Sequence, residues 1–269
     1  MNAPLPEITQ GSVLGKAAMN APLLETRALC KRFGGLVATD SVSLSVRRGE
    51  CHALIGPNGA GKTTLIGQLS GSLRPDAGAI HFDGRDVTRL DAHQRAKLGF
   101  ARSFQITSIL NEVSVLENVS IARQAVSGSS FRFWRRVADE TTLATEAMAI
   151  LRQVGLEGLA SRQARGLSHG EHRQLEIALA LATQPQLMLL DEPMAGMGPD
   201  ESERMVQLIS GLKGRYTILL VEHDMDAVFR LADRISVLVA GRIIATGTVD
   251  EIRANAEVKS AYLGEEATN

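Results

Sequence analysis

The residues Gly56-Pro57-Asn58-Gly59-Ala60-Gly61-Lys62-Thr63 match the pattern G-x-x-x-x-G-K-[ST], between an apolar segment, 53–55, and a helix-like run, 64–69. No other feature constrains the fold as strongly. Such a loop must leave a buried strand and enter a helix, so that successive backbone N–H groups and the positive helix end converge on one anion. The glycines permit the tight wrap. Lys62 is expected to reach the β- and γ-phosphates of a nucleotide, and the Thr63 hydroxyl to ligate Mg²⁺. A chance match in a chain this long is on the order of one in a hundred, and the strand–loop–helix context lowers it further.

A phosphate loop needs a carboxylate on a second strand to hold the metal. Leu187-Met188-Leu189-Leu190-Asp191-Glu192 supplies it: Asp191 is expected to hold Mg²⁺, and Glu192 to face the γ-phosphate and position the attacking water. Buried strands often end in solvated acids, so this segment gains its meaning from the loop. The runs 187–190 and 217–221 are short, apolar and bounded, as in strands of a parallel sheet covered on both faces. Val42, Leu44 and Val46 alternate as in a half-buried strand, residues 79–84 form a second β segment, and 234–239 with 242–245 read as a hairpin. Between 113 and 182 the pattern turns helical, broken at 127–130 and at Gly155, Gly158 and Gly166.

The charge balance, 29 Lys+Arg against 30 Asp+Glu, gives no global basic field for nucleic acid or an anionic membrane. No stretch approaches the roughly 18 apolar residues of a spanning helix. The start lacks the basic and apolar regions of an export signal, so the expected address is the cytosol. Cys30 and Cys51 have no partner at metal-ligand spacing and are expected to be small core residues. Residues 1–21 read as a loose tail, in which Met1-Asn2-Ala3-Pro4-Leu5 recurs as Met19-Asn20-Ala21-Pro22-Leu23; Met19 is therefore a candidate alternative start.

Three further elements carry a family resemblance. Leu167-Ser168-His169-Gly170-Glu171 opens a helix shortly before Asp191 and resembles the LSGGQ signature of ATP-binding cassette (ABC) ATPases. Gln105, in Arg102-Ser103-Phe104-Gln105, resembles their Q-loop, and His223, after the strand 217–221, their switch histidine. Order and spacing match over about 23–247. The resemblance implies an α/β fold: a P-loop NTPase cassette with a mixed-sheet core, an antiparallel β subdomain and an α-helical subdomain at about 106–182, within one domain at 22–264 and a tail at 265–269. It implies ATP held by Gly56, Pro57, Asn58, Gly59, Ala60, Gly61, Lys62, Thr63 and Thr64, with Phe33 stacking on adenine unless it is a core residue. The metal set would be Thr63, Gln105 and Asp191; the catalytic set Glu192, His223 and Gln105. Ser168 and Gly170 would capture the γ-phosphate of ATP bound to a second cassette, so two chains sandwich two nucleotides. His169, Glu171 and, further on, Gly198 depart from the consensus.

Phe33-Gly34-Gly35-Leu36-Val37-Ala38, Glu222-His223-Asp224-Met225 and residues 258–264 resemble the ATPase subunits of branched-chain amino-acid importers. Urea importers and the lipopolysaccharide exporter ATPase share much of this pattern. The resemblance implies permease partners, a second identical or paralogous ATPase subunit, an indirect link to a periplasmic substrate-binding protein, and a peripheral place on the cytoplasmic face of the inner membrane. Phe131-Arg132-Phe133-Trp134-Arg135-Arg136 is either a docking surface or subdomain packing with a basic edge. A soluble ABC protein acting on nucleic acid would carry two cassettes, long coiled coils or a basic arm. A small-molecule kinase or GTPase would not need 167–171 or His223.

Overall fold

The N-terminal segments form an antiparallel sheet in which β1 (Pro22–Phe33) pairs with β2 (Leu36–Val42), β3 (Ser45–Arg47) and β5 (Ala77–Phe82), and β5 with β6 (Arg85–Asp86). These coordinates come from a computed structural model, which describes residues 22–102, 109–126 and 137–266. The tail 1–21 with the first copy of the repeat and Met19, Gln105, the break at 127–130 and the aromatic–arginine run 131–136 lie outside the described residues. The alternation expected through Val42, Leu44 and Val46 is split between β2 and β3. Buried Thr26 intervenes: its hydroxyl donates to the Val42 carbonyl (3.1 Å) and accepts from the Leu44 N–H (2.8 Å), replacing ladder bonds there.

The apolar runs assemble into a six-stranded sheet of order β11-β10-β4-β9-β8-β7, built from β4 (Cys51–Ile55), β7 (Phe100–Arg102), β8 (Leu187–Asp191), β9 (Thr217–Val221), β10 (Arg234–Val239) and β11 (Arg242–Gly247). All neighbours are parallel except the β10–β11 hairpin. Side chains alternate between two cores. Leu187, Leu189, Leu219 and Val221 face α1 (Lys62–Ser70) and the antiparallel sheet; Met188, Leu190, Ile218 and Leu220 face the helical layer. That is why these strands are apolar at every position rather than every second one.

The helical layer comprises α3 (Val115–Val126), α4 (Val137–Val154) and α5 (His169–Ala182), after the short α2 (Ala92–Lys97). Gly155, at φ +74°, ends α4 in the left-handed region that favours glycine. α6 (Pro199–Leu212), α7 (Met225–Leu231), α8 (Val249–Ala254) and α9 (Ala256–Glu266) complete the chain. Arg95 of α2, 1% exposed, donates to the carbonyls of Gln68 (2.7 Å) and Leu69 (2.6 Å), placing a positive charge at the C-terminal end of α1. The cysteines differ from expectation. Cys51 is a core residue whose thiol burial pushes up to about 12, whereas Cys30 is only half-buried, because its sulfur faces Ser41 at the sheet edge. No helix among the described residues is long and apolar enough to cross a membrane.

Candidate functional site

The phosphate-loop sequence runs from the end of β4 into α1, threaded between β2 and the β10–β11 hairpin. Two of its glycines are dictated by close approach. A Cβ at Gly56 would overlap the Leu238 carbonyl, and one at Gly61 the Ala38 carbonyl. Gly61 also has φ +103° where it precedes α1, and no side chain caps that helix. The unpaired N–H groups of its first turn therefore remain available to an anion. The Lys62 ammonium donates to the carbonyls of Gly56 and, at 3.0 Å, of Pro57, so it lies across the loop.

Thr63, Asp191 and Glu192 line one open depression of about 260 Å³, together with Arg173 and Ala195. β8 delivers the two carboxylates, and β9, in parallel register with Asp191 beside Val221, delivers Glu222 and His223 to the same sheet edge. Asp191 accepts from Arg102 at 3.2 Å, and Arg102 also reaches the Ser70 hydroxyl at 3.3 Å. Glu192 has φ +48°; its N–H donates to the Val221 carbonyl (2.8 Å) and its carbonyl accepts from Ala195 N–H (3.1 Å). The His223 side chain is 66% exposed, with Nδ1 3.7 Å from Glu222 Oε2.

Ser168 is the N-cap of α5. Its hydroxyl accepts from the Glu171 N–H (3.2 Å), while the Glu171 carboxylate accepts from the Ser168 N–H (2.6 Å), a reciprocal capping box. Glu171 thus has a local reason to depart from the consensus. His169 Nε2 lies 3.2 Å from the Ala195 carbonyl, linking this turn to the segment after Glu192. Glu201 packs against Gly170, where a Cβ would come within 2.8 Å of its carboxylate. Ser168 and Gly170 line their own depression of about 100 Å³ with Glu171, Gln174, Glu201 and Arg204; Thr63, Asp191 and Glu192 are not part of it. Gly198 precedes α6 without a side-chain cap, followed by Pro199 and by Asp200 in the first turn.

Phe33 is 49% exposed at the tip of the β1–β2 hairpin, which removes the reading of it as a core residue. Lys31 Nζ stands 5.7 Å from its ring centroid. Sequence reasoning missed Arg102, Arg173 and Glu222. Glu222 carried the same signal as Asp191 and Glu192, an acid directly after an apolar strand; Arg102 was quoted only for its neighbour Gln105. Among the described residues no three His, Cys, Asp or Glu side chains converge as a metal cage. The Asp191 carboxylate and Thr63, which line the same depression, are instead the hard-oxygen type of donor that suits a cation shared with phosphates.

The family model described as ABC transporter matches residues 39–195, and the one described as Branched-chain amino acid ATP-binding cassette transporter matches 242–268. The chain is 41% identical over 256 residues to the High-affinity branched-chain amino acid transport ATP-binding protein LivG of Salmonella typhimurium, covering 92% of this chain and 100% of that one. It is 38% identical to the corresponding protein BraF of Pseudomonas aeruginosa, with the same coverage of each. Among solved structures, the ADP conformation of MJ1267, an ATP-binding cassette of an ABC transporter, superposes with a TM-score of 0.78 at 31% identity, over 91% of this chain and 100% of that one.

Proposed function

Because the chain belongs to the ABC transporter ATP-binding family, we propose that it is the ATP-hydrolysing subunit that powers a membrane importer of branched-chain amino acids. The observation that carries the chemistry is the convergence of Thr63, Asp191 and Glu192 on one depression at the end of the phosphate loop. The cargo assignment is supported by the match at 242–268 and by full-length similarity to branched-chain transport proteins; these favour it over the urea importers and the lipopolysaccharide exporter ATPase. Its partners are permease subunits and a second ATPase subunit, identical or paralogous. A periplasmic substrate-binding protein delivers the cargo, and the chain sits peripherally on the cytoplasmic face of the inner membrane. One cassette spans 22–264.

The residues divide the work as follows. Backbone N–H groups of 56–64 hold the phosphates, and Lys62 neutralises the β- and γ-phosphate oxygens. Phe33 offers a π face to adenine. Thr63 and Asp191, with Gln105, would hold Mg²⁺, which would supply neutralisation of the phosphate charge. Glu192 orients and deprotonates the water that attacks the γ-phosphorus, and His223 binds the γ-phosphate from the neighbouring strand end. Ser168 and Gly170 face the γ-phosphate held by the second cassette. Gln105 passes the resulting closure to the permease. The test is Glu192→Gln in the assembled transporter: ATP binding persists while turnover falls by about 10²- to 10⁴-fold. Near-normal turnover rejects the role of Glu192, and branched-chain amino acids that fail to stimulate hydrolysis in the presence of permease and binding protein reject the cargo.

A further inference from the structure

We propose that Glu222 is a positioning residue for hydrolysis, its buried carboxylate clamping the segment after Glu192 to the loop that carries His223. The proposal rests on the roles given to Glu192 and His223 above. Glu222 is 1% exposed, and no Lys or Arg among the described residues forms an ion pair with it. Its carboxylate is met by backbone donors, with His223 Nδ1 further off at 3.7 Å from Oε2. Oε1 accepts from the Met194 N–H at 3.0 Å; Oε2 accepts from the His223 N–H at 3.0 Å and, more loosely, from the Asp224 N–H at 3.5 Å.

A buried carboxylate is costly unless its lone pairs are filled, so its presence at a strand end calls for a task that a cheaper side chain cannot perform. That task is to accept from two loops at once. A glutamine has one acceptor oxygen, and its NH₂ group would meet a backbone donor; an aspartate is one methylene short of spanning both loops. One loop tied down is the turn 192–195, where Glu192 is held at φ +48° by the Val221 and Ala195 contacts as well. The other is the turn from β9 into α7. The phosphate loop shares no hydrogen bond with Glu222 among the described residues, so its loss should disturb placement of Glu192 and His223 without touching the cradle. Misplacement of reacting groups by about 1 Å costs up to about 10²-fold in rate.

The experiment compares wild type, Glu222→Gln, Glu222→Asp and Glu192→Gln as full-length chains assembled with their permease, all below their melting temperatures. For Glu222→Gln the expected result is a fall in kcat of about 10- to 100-fold, with KM for ATP and equilibrium ATP affinity within about twofold of wild type. Glu222→Asp, which keeps the charge, should also lose kcat. A residue that only stabilised the fold would leave kcat of the folded variant intact. The proposal is overturned if folded Glu222→Gln turns over within twofold of wild type, if ATP affinity falls in parallel with kcat, or if neither variant folds. Inactive Glu192→Gln beside a normal Glu222→Gln removes this proposal alone; normal turnover in Glu192→Gln removes the underlying reading and this one with it.

Discussion

Glu192 carries its carboxylate on a backbone that glutamate rarely adopts. At φ +48° its Cβ crowds the adjacent carbonyl, a conformation that costs about 1–2 kcal/mol in any residue but glycine. The bonds to Val221 and from Ala195 hold it there, so the fold bears a local cost to aim one side chain into the depression that Thr63 and Asp191 line. Glu192→Gly relieves that crowding, about 1–2 kcal/mol, but adds freedom to the unfolded chain worth about 0.4–1 kcal/mol, so the net runs from about zero to about 1.6 kcal/mol in favour of the variant. Chemical denaturation should therefore find Glu192→Gly as stable as wild type or up to about 1.6 kcal/mol more stable while hydrolysis is lost. A destabilisation of about 0.5–1 kcal/mol or more, as glycine brings at ordinary helix or strand sites, would show that the backbone there is not strained.

At the scale of elements, the strand that feeds the phosphate loop is tied to its neighbour by a buried polar chain. Glu50 Oε1 hydrogen-bonds with His52 Nδ1 (2.9 Å), His52 Nε2 meets the Ser236 hydroxyl (2.8 Å), and Ser236 meets Thr246 (2.8 Å), linking β4 through β10 to β11. Burial pushes the Glu50 carboxyl up, but the His52 bond, a backbone bond from Arg47 and the nearby Arg234 outweigh it and leave it below its ordinary 4.5. Between the folded and unfolded values the unfolded chain binds more protons, so this contribution is full above about pH 4.5 and is lost as pH falls through the folded value. In urea titrations the stability of Glu50→Gln should fall less steeply than that of wild type as pH drops below 4.5; parallel curves would exclude Glu50 as a contributor. The elements themselves were legible wherever their constraint is local. The strand–loop–helix around Gly56 to Thr63 and the doubly covered strands 187–190 and 217–221 follow from spacing and run length. The interruption at Leu44 was not, because Thr26, eighteen residues away, causes it. The same holds for the site: Asp191 and Glu192 follow apolar runs and could be read directly, whereas the clamp at Glu222 depends on β8 and β9 lying side by side in register, which no single segment encodes.

At the scale of the molecule, one chain holds the cradle and the Ser168 turn in separate depressions, and under the proposed function each would be completed by a second cassette. The Ser168 turn is well formed for a helix, but its depression carries two carboxylates against the single guanidinium of Arg204. Glu171 and Glu201 both line the depression beside Ser168 and Gly170, where the γ-phosphate of the facing chain would arrive. Glu171 strengthens α5 through its capping box, and the same carboxylate opposes an incoming anion. A glutamine can keep the acceptor that the Ser168 N–H uses while removing the charge. Relieving one like-charge contact near a protein surface is worth about 1 kcal/mol, or about fivefold in an equilibrium constant. In a Glu192→Gln background, where ATP is retained, a dimer of the variant relieves two such contacts, so Glu171→Gln should tighten ATP-dependent cassette association by about 10- to 50-fold in sedimentation experiments. The gain should shrink as salt rises, since exposed charges are screened beyond about 8 Å at physiological ionic strength. Association unchanged by Glu171→Gln at low salt would mean that the facing phosphate does not approach this turn. A lower melting temperature beside tighter association would still fit, because capping and phosphate capture draw on the same helix end.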